Sequence, residues 1–197
     1  MHNIDVMCLA ETWHDTDSVA FRRLRFVGYQ VVDRPRPRPP SELPTMSTNH
    51  GGVAVVSVSG VRMLSIALGV DPILFELLCA RVLSGSFSAI VVLIYRPGSE
   101  AITTTFLVDL AETLDRVVAY NDPVYIVGDL NVRLDRDDDI NNKQLLELLD
   151  VYVFTVQVSD PTHARGGLLD VVATRHDDAP LAVTVCDAGL SDHHLLL

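Results

Sequence analysis

The stretch VYIVGDLN, Val124 to Asn131, constrains the fold of this chain more than any other. Its first four residues are apolar and rich in strand formers, so they read as a buried strand. An acid and an amide, Asp129 and Asn131, stand at the mouth of that strand. Ending a buried strand on polar groups is the layout of an α/β protein, in which strand ends carry the chemistry. The layout recurs along the chain. IDVMCLAETW is an apolar run with Glu11 near its end, FSAIVVLIYRPG ends an apolar run on Tyr95, and Asp170 and Asp192 fall at the edges of LLDVVATR and SDHHLLL.

The remaining segments fill in the class. GVAVVSVSG, RMLSIAL, LFELLCARVL and FSAIVVLIYRPG are β-branched runs at close spacing, and they read as consecutive antiparallel strands. TTTFLVDLAETLDRVVAYND places Phe106, Leu110, Leu114, Val117 and Val118 at helical spacing, with Thr103 or Thr104 as its cap. INNKQLLELLDVYVF predicts a second helix after an Asn cap, and SVAFRRLRFVGYQVVD a short helix or turn followed by a strand. LAVTVCDA reads as a strand, and SDHHLLL begins another. The Pro- and Ser/Thr-rich stretch RPRPRPPSELPTMSTNHGG reads as an exposed loop, too short for a domain linker. The pattern predicts an α/β fold over residues 1–197 as one domain: a two-sheet β-sandwich flanked by helices, in four layers.

Composition removes several function classes. No apolar run approaches the ~20 residues of a membrane span, and the N-terminus lacks the basic and apolar regions of a secretory signal. Cys8, Cys79 and Cys186 are scattered without metal-ligand spacing, so free thiols and an intracellular setting are expected. The formal net charge of −11 argues against a general polyanion-binding module. It leaves room for an acidic site in which a divalent cation meets a phosphate.

Asp129 and Asn131 are two residues apart, so on an extended chain they face the same way. A carboxylate and an amide on one face can hold an attacking water and a phosphate oxygen; an Asp/Asn turn after a strand is the plain alternative. Asp170 lies within an apolar run, where a carboxylate is costly unless paired. His193 is the obvious candidate partner, its imidazole then held in one tautomer by the carboxylate; the plain alternative is that Asp170 caps a turn. Glu11 at a strand end either faces solvent or serves as an oxygen ligand for Mg²⁺, and Tyr95 either packs over the core or donates its hydroxyl to a phosphate. Trp13 is expected to pack, and Arg22, Arg23 and Arg25 to form a solvated helix face.

Taken in order, LAETW, GGVAVV, IYRPG, VGDLN, PTHARGGLLDVVAT and LSDHHLL resemble the endonuclease/exonuclease/phosphatase superfamily. Within it, the similarity points to the apurinic-type endonuclease domain of non-LTR retrotransposons. The resemblance implies Mg²⁺-dependent phosphodiester hydrolysis, with Mn²⁺ as a substitute, that nicks a target DNA strand. By that resemblance Glu11 is a metal ligand and Asp192 assists near the metal. Tyr95 contacts the scissile phosphate, Asp129 orients or deprotonates the attacking water, and Asn131 binds a non-bridging oxygen. Asp170 orients His193, and His193 stabilises the transition state; Thr162 and His163 are structural. In the parent element a reverse transcriptase, absent here, would extend the nick, and the nucleus would be the place of action.

The resemblance also sets an expectation for the ends. Family members begin with a strand carrying an Asn near the phosphate, and nothing before IDVMCLAETW supplies it, Asn3 being too close to Ile4. The chain is therefore expected to be truncated at its N-terminus and, within SDHHLLL, at its C-terminus. Two rival readings stand beside the endonuclease: a phosphatase of the same fold acting on small or lipid phosphates, and a catalytically dead remnant.

Overall fold

In a computed structural model of the chain, which describes residues 4–36, 50–178 and 181–197, the β-branched runs become strands of two main sheets. Most of the Pro-rich stretch, and Asn3, lie outside those residues. The smaller sheet has the order β1 (Val6–Leu9), β3 (Val53–Ser57), β2 (Gln30–Arg34), all antiparallel. The larger sheet contains β4 (Arg62–Ile66), β5 (Glu76–Ser84), β6 (Phe87–Tyr95), β7 (Val124–Asp129), β8 (Phe154–Val156) and β9 (Asp170–Arg175). Its strand order is β4-β5-β6-β7-β9-β8. A short ribbon of β10 (Val185–Cys186) and β11 (Leu195–Leu196) stands apart.

Helix α1 (Val19–Phe26) lies against β2 and buries Phe21. Helices α2 (Thr104–Val117) and α3 (Ile140–Val151) cover the far face of the larger sheet. There Phe106, Leu110, Leu114 and Leu145 pack on Ile90, Val92, Ile94, Ile126 and Val171. The opposite face of that sheet, with Leu78, Val91, Leu93 and Tyr95, meets Val53 and Val55 of the smaller sheet. The layers thus run helix, sheet, sheet, helices, as the sequence pattern predicts.

Three expectations change. The strand of GVAVVSVSG is β3, and it does not join the antiparallel set β4-β5-β6. It is buried at every residue and sits at the centre of the other sheet, between β1 and β2. The cap of α3 is Asp139 rather than an Asn; its carboxylate accepts from the Asn141 N–H at 2.8 Å, and an acid is favoured at a helix N-terminus. LAVTVCDA keeps strand pairing only over Val185–Cys186. The helix cap at Thr103 and the free state of the cysteines agree with expectation, and burial pushes the Cys79 thiol up to about 12. Among the described residues no helix is long and apolar enough to cross a membrane.

Strands β6 and β7 are parallel, and α2 is the crossover between them. Strands β7 and β9 are antiparallel. This pairing puts Tyr95 opposite Asp129, and Asp129 opposite Asp170, in one row across three strands. Gly128 precedes that row with φ of 131°, and a Cβ there would collide with the Ile94 carbonyl oxygen. Replacing Gly128 with Ala is expected to lower unfolding stability by about 3 kcal/mol, read as a shift in the urea midpoint.

Candidate active site

The row Tyr95–Asp129–Asp170 ends between the two sheets, on the side of the larger sheet that faces β1. β1 runs out at Leu9, and Glu11 follows with φ of 49°, a left-handed backbone that turns the chain over the row. Its carboxylate accepts a short hydrogen bond from the Tyr95 hydroxyl. Tyr95 is buried, and burial first, then the bond to Glu11, hold its phenol above the usual range. The hydroxyl is therefore a neutral donor already in use.

The last segment of the chain brings His193. An isolated antiparallel bridge pairs His163 with His193, and the Ala164 N–H donates to the Asp192 carbonyl at 2.8 Å. Thr162 is fully buried, and its hydroxyl accepts from the N–H groups of Leu169 and Asp170 at 3.0 and 3.1 Å. It holds the start of β9 and touches no open space, which fits a structural part. His193 Nδ1 lies 2.9 Å from Asp170 Oδ2, the pairing expected from the sequence. Its Nε2 lies 3.7 Å from Asp129 Oδ2. The Asp170 hydrogen bond, against an opposing desolvation, pushes His193 up to about 9. His194 points elsewhere, its Nδ1 3.3 Å from the Pro161 carbonyl.

Asp129 is almost buried, and desolvation, with the nearby Asp170 charge, pushes its carboxyl up to about 7. Asn131 stabilises it: the backbone N–H donates to Oδ1 at 2.8 Å and the side-chain Nδ2 to Oδ2 at 2.7 Å. The other amide hydrogen goes to the Arg96 carbonyl at 2.9 Å. Both N–H groups of the Asn131 side chain thus have partners, and the residue holds Asp129 in this arrangement. Its φ of 51° makes the turn that permits both bonds.

Arg96 is the residue that sequence reasoning missed. It is 2% exposed, and its guanidinium donates to the carbonyls of Leu130 at 2.6 Å, Asn131 at 2.7 Å and Pro97 at 3.1 Å. It also reaches the Glu100 carbonyl. Burial lowers its pKa, opposed first by the Asp129 charge. Arg96 therefore clamps the turn that carries Asp129 and Asn131. The only sequence signal was an Arg directly after the apolar strand, in YRPG.

The cleft above these groups has a volume of about 420 Å³ and is walled by Glu11, Trp13, Asp129, Asp170, Asp192 and His193, among others. Among the described residues, two sets of three side chains offer ligand atoms within 4.8 Å of one another: Asp129, Asp170, His193, and His163, Asp192, His193. Glu11 belongs to neither set, although it shares the cleft. Asp192 is exposed, and its carboxyl is lowered: slight desolvation is outweighed by a backbone hydrogen bond and by His163 and His193. His163 Nε2 stands 3.3 Å from Asp192 Oδ2. A cleft with several carboxylate oxygens and open solvent has the donor chemistry of an oxygen-seeking divalent cation.

Comparison with known proteins bears on the family and the fold. The model of the Endonuclease/Exonuclease/phosphatase family matches residues 1–193. A 3′ phosphatase, NExo, from Neisseria, solved with a product DNA hairpin, superposes with TM-score 0.67 at 19% identity, over 98% of this chain and 87% of that one. The endonuclease domain of TRAS1, a telomere-specific non-LTR retrotransposon, gives TM-score 0.63 at 14% identity, over 84% and 76%. The human Nocturnin catalytic domain with a bound sulfate gives 0.56 at 16% identity, over 92% and 71%. These likenesses show the shared fold. No curated protein matches in sequence.

Two outcomes follow from the local geometry. His193 is expected to titrate near 9 by NMR in the intact chain, and Asp170→Asn to return it toward about 6.5. Arg96→Met removes the donors from the buried Leu130 carbonyl and the part-buried Asn131 carbonyl and should cost about 3 kcal/mol in urea unfolding. Arg96→Lys should recover only part, because an ammonium cannot reproduce the planar fork.

Proposed function

The chain belongs to the Endonuclease/Exonuclease/phosphatase family, and from that premise we propose that it is a divalent-metal-dependent phosphodiesterase that nicks DNA. The observation that carries the reading is the Asp170–His193–Asp129 chain of contacts, at 2.9 and 3.7 Å, opening on one acidic cleft. Asp129 is poised near neutrality, where a general base works best. It takes a proton from the attacking water while Asn131 keeps its carboxylate aimed. His193, charged through its bond to Asp170, donates from Nε2 to the oxygen on which negative charge builds. Glu11 and Asp192 are the residues we assign to the cation, Mg²⁺ first and Mn²⁺ as a substitute. When bound, that ion supplies Lewis-acid stabilisation of the leaving oxygen. Tyr95 holds Glu11 through its hydroxyl and faces the phosphate only when that bond opens.

In a retrotransposon this activity would expose a 3′-hydroxyl for a reverse transcriptase. We offer that role as an extension of the family reading, supported by the ordered motifs of the sequence.

The test is nicking of supercoiled plasmid by the purified chain. Nicking is expected with Mg²⁺, to vanish with chelator, and to fall by at least about a hundredfold in Asp129→Ala and in His193→Ala. A rate unaffected by either substitution would sink the mechanism. Release of phosphate from 3′-phosphorylated DNA without nicking would replace the endonuclease with a phosphatase. The pH profile carries its own sign. Activity needs Asp129 ionised and His193 protonated, so kcat/KM should rise through about 7 and fall through about 9.

A further inference from the structure

Trp13 was expected to pack, and it does not bury itself: it is 37% exposed and forms part of the cleft wall beside Glu11. Its backbone has φ of 49°, an uncommon conformation for a bulky residue and one that persists only when surroundings hold it. The surroundings do so here. The Trp13 N–H donates to the Gly51 carbonyl at 2.8 Å, and the Thr12 N–H to the Gly52 carbonyl at 3.1 Å. Gly52, at φ of 94°, has no room for a Cβ, which would meet Thr12 Oγ1 at 2.7 Å and His14 Nδ1 at 2.9 Å. The indole is also fixed by the ring of His50, with centroids 4.6 Å apart and planes at 78°. Such an edge contact occupies at most one face of an aromatic ring. Leu190, 85% exposed and next to Gly189 at φ of 62°, lines the same cleft. An acidic cleft that must admit a polyanion therefore has an aromatic and an apolar side chain on its walls.

We propose that Trp13 is a stacking platform for an unpaired nucleobase of the DNA strand whose phosphate enters the cleft. The inference rests on the nuclease reading for the choice of DNA, and on the fixed, half-open indole for the contact itself. Base–aromatic stacking accepts any base, because every base has a π-face, and it adds affinity that a chain of net charge −11 does not gain from a general attraction to the backbone.

Trp13 is the only tryptophan in the sequence, so intrinsic fluorescence reports on it alone. The experiment titrates the full chain, in chelator to prevent turnover, with a labelled short single-stranded DNA and with an abasic oligomer of equal length. Label anisotropy gives occupancy while Trp13 emission is followed. Quenching by the base-bearing strand, and none by the abasic oligomer at matched occupancy, is the expected result. Trp13→Ala should weaken binding of the base-bearing strand about tenfold, with Trp13→Phe close to the parent chain. Equal emission with both oligomers, or equal affinity for the Ala variant and the parent, overturns the platform. Because binding is read without turnover, base-dependent quenching in a chain that never nicks plasmid would keep the platform and remove the nuclease. Nicking without quenching would do the reverse.

Discussion

The Arg96 guanidinium is the interaction on which the site depends. It is the largest of the fully buried side chains, and its donors collect the carbonyls of Leu130 and Asn131 from one loop and of Pro97 and Glu100 from another. The Pro97 carbonyl also accepts from the Glu100 N–H at 3.1 Å, whereas the Leu130 carbonyl meets the guanidinium in the buried interior, and a buried carbonyl without a donor costs about 1–3 kcal/mol. A planar, permanently charged fork can serve several carbonyls at once, where neutral side chains would need to be several residues. Its charge also sits near Asp129, which keeps the ion from being isolated in the core. With the carbonyls fixed, Asn131 holds its left-handed turn, and the turn in turn holds the Asp129 carboxylate.

The second constraint is register. Tyr95, Asp129 and Asp170 stand in one row because β6 and β7 are parallel and β7 and β9 antiparallel. A slip of one residue in β7 would move Asp129 to the face covered by α2 and α3 and place Gly128 in the site. The hydrophobic pattern forbids this slip, since Ile126 faces the helices and Val127 the other sheet. His193 then arrives by a different route, through its bridge to His163 and the fixed start of β9. The site is thus assembled by sheet pairing on one side and by a loop-to-loop bridge on the other.

What was legible in the sequence follows from these routes. The Asp170–His193 pair could be anticipated because an acid in an apolar run demands a partner. The place of Asp129 and Asn131 at a strand mouth was legible, but the extended chain expected between them is a turn: Asn131 has φ of 51° and its N–H donates to Asp129 Oδ1. The Tyr95–Glu11 bond was not, because it crosses between sheets whose mutual placement no local pattern encodes. The same ignorance placed β3 with β4-β5-β6, since its runs look alike whichever sheet they join. Trp13 escaped for a backbone reason. Glu11 and Trp13 both adopt positive φ, so the alternation of faces that a strand obeys ends before them. Arg96 escaped because an Arg beside a Pro reads as an exposed turn, and only the folded loops around it reveal that four carbonyls await it.

The electrostatics of the cleft act on stability through two groups, Asp129 and His193. Asp129 has its carboxyl raised from 3.8 to about 7, so the native chain holds a proton that the unfolded chain has lost. Stability from that source falls as pH rises from 3.8 through about 7. His193 is raised from 6.5 to about 9, so its contribution is complete below 6.5 and is lost as pH rises through about 9. Both groups therefore stabilise the fold most when both carry protons. The proposed chemistry needs a different state, with Asp129 bare and His193 charged, which prevails between the two values. In that window the cleft holds an ionised, poorly solvated carboxylate beside Asp170, a cost offset only in part by His193. A cation or a positively polarised ligand in the cleft would relieve the repulsion, and whatever binds the native state alone stabilises it by mass action.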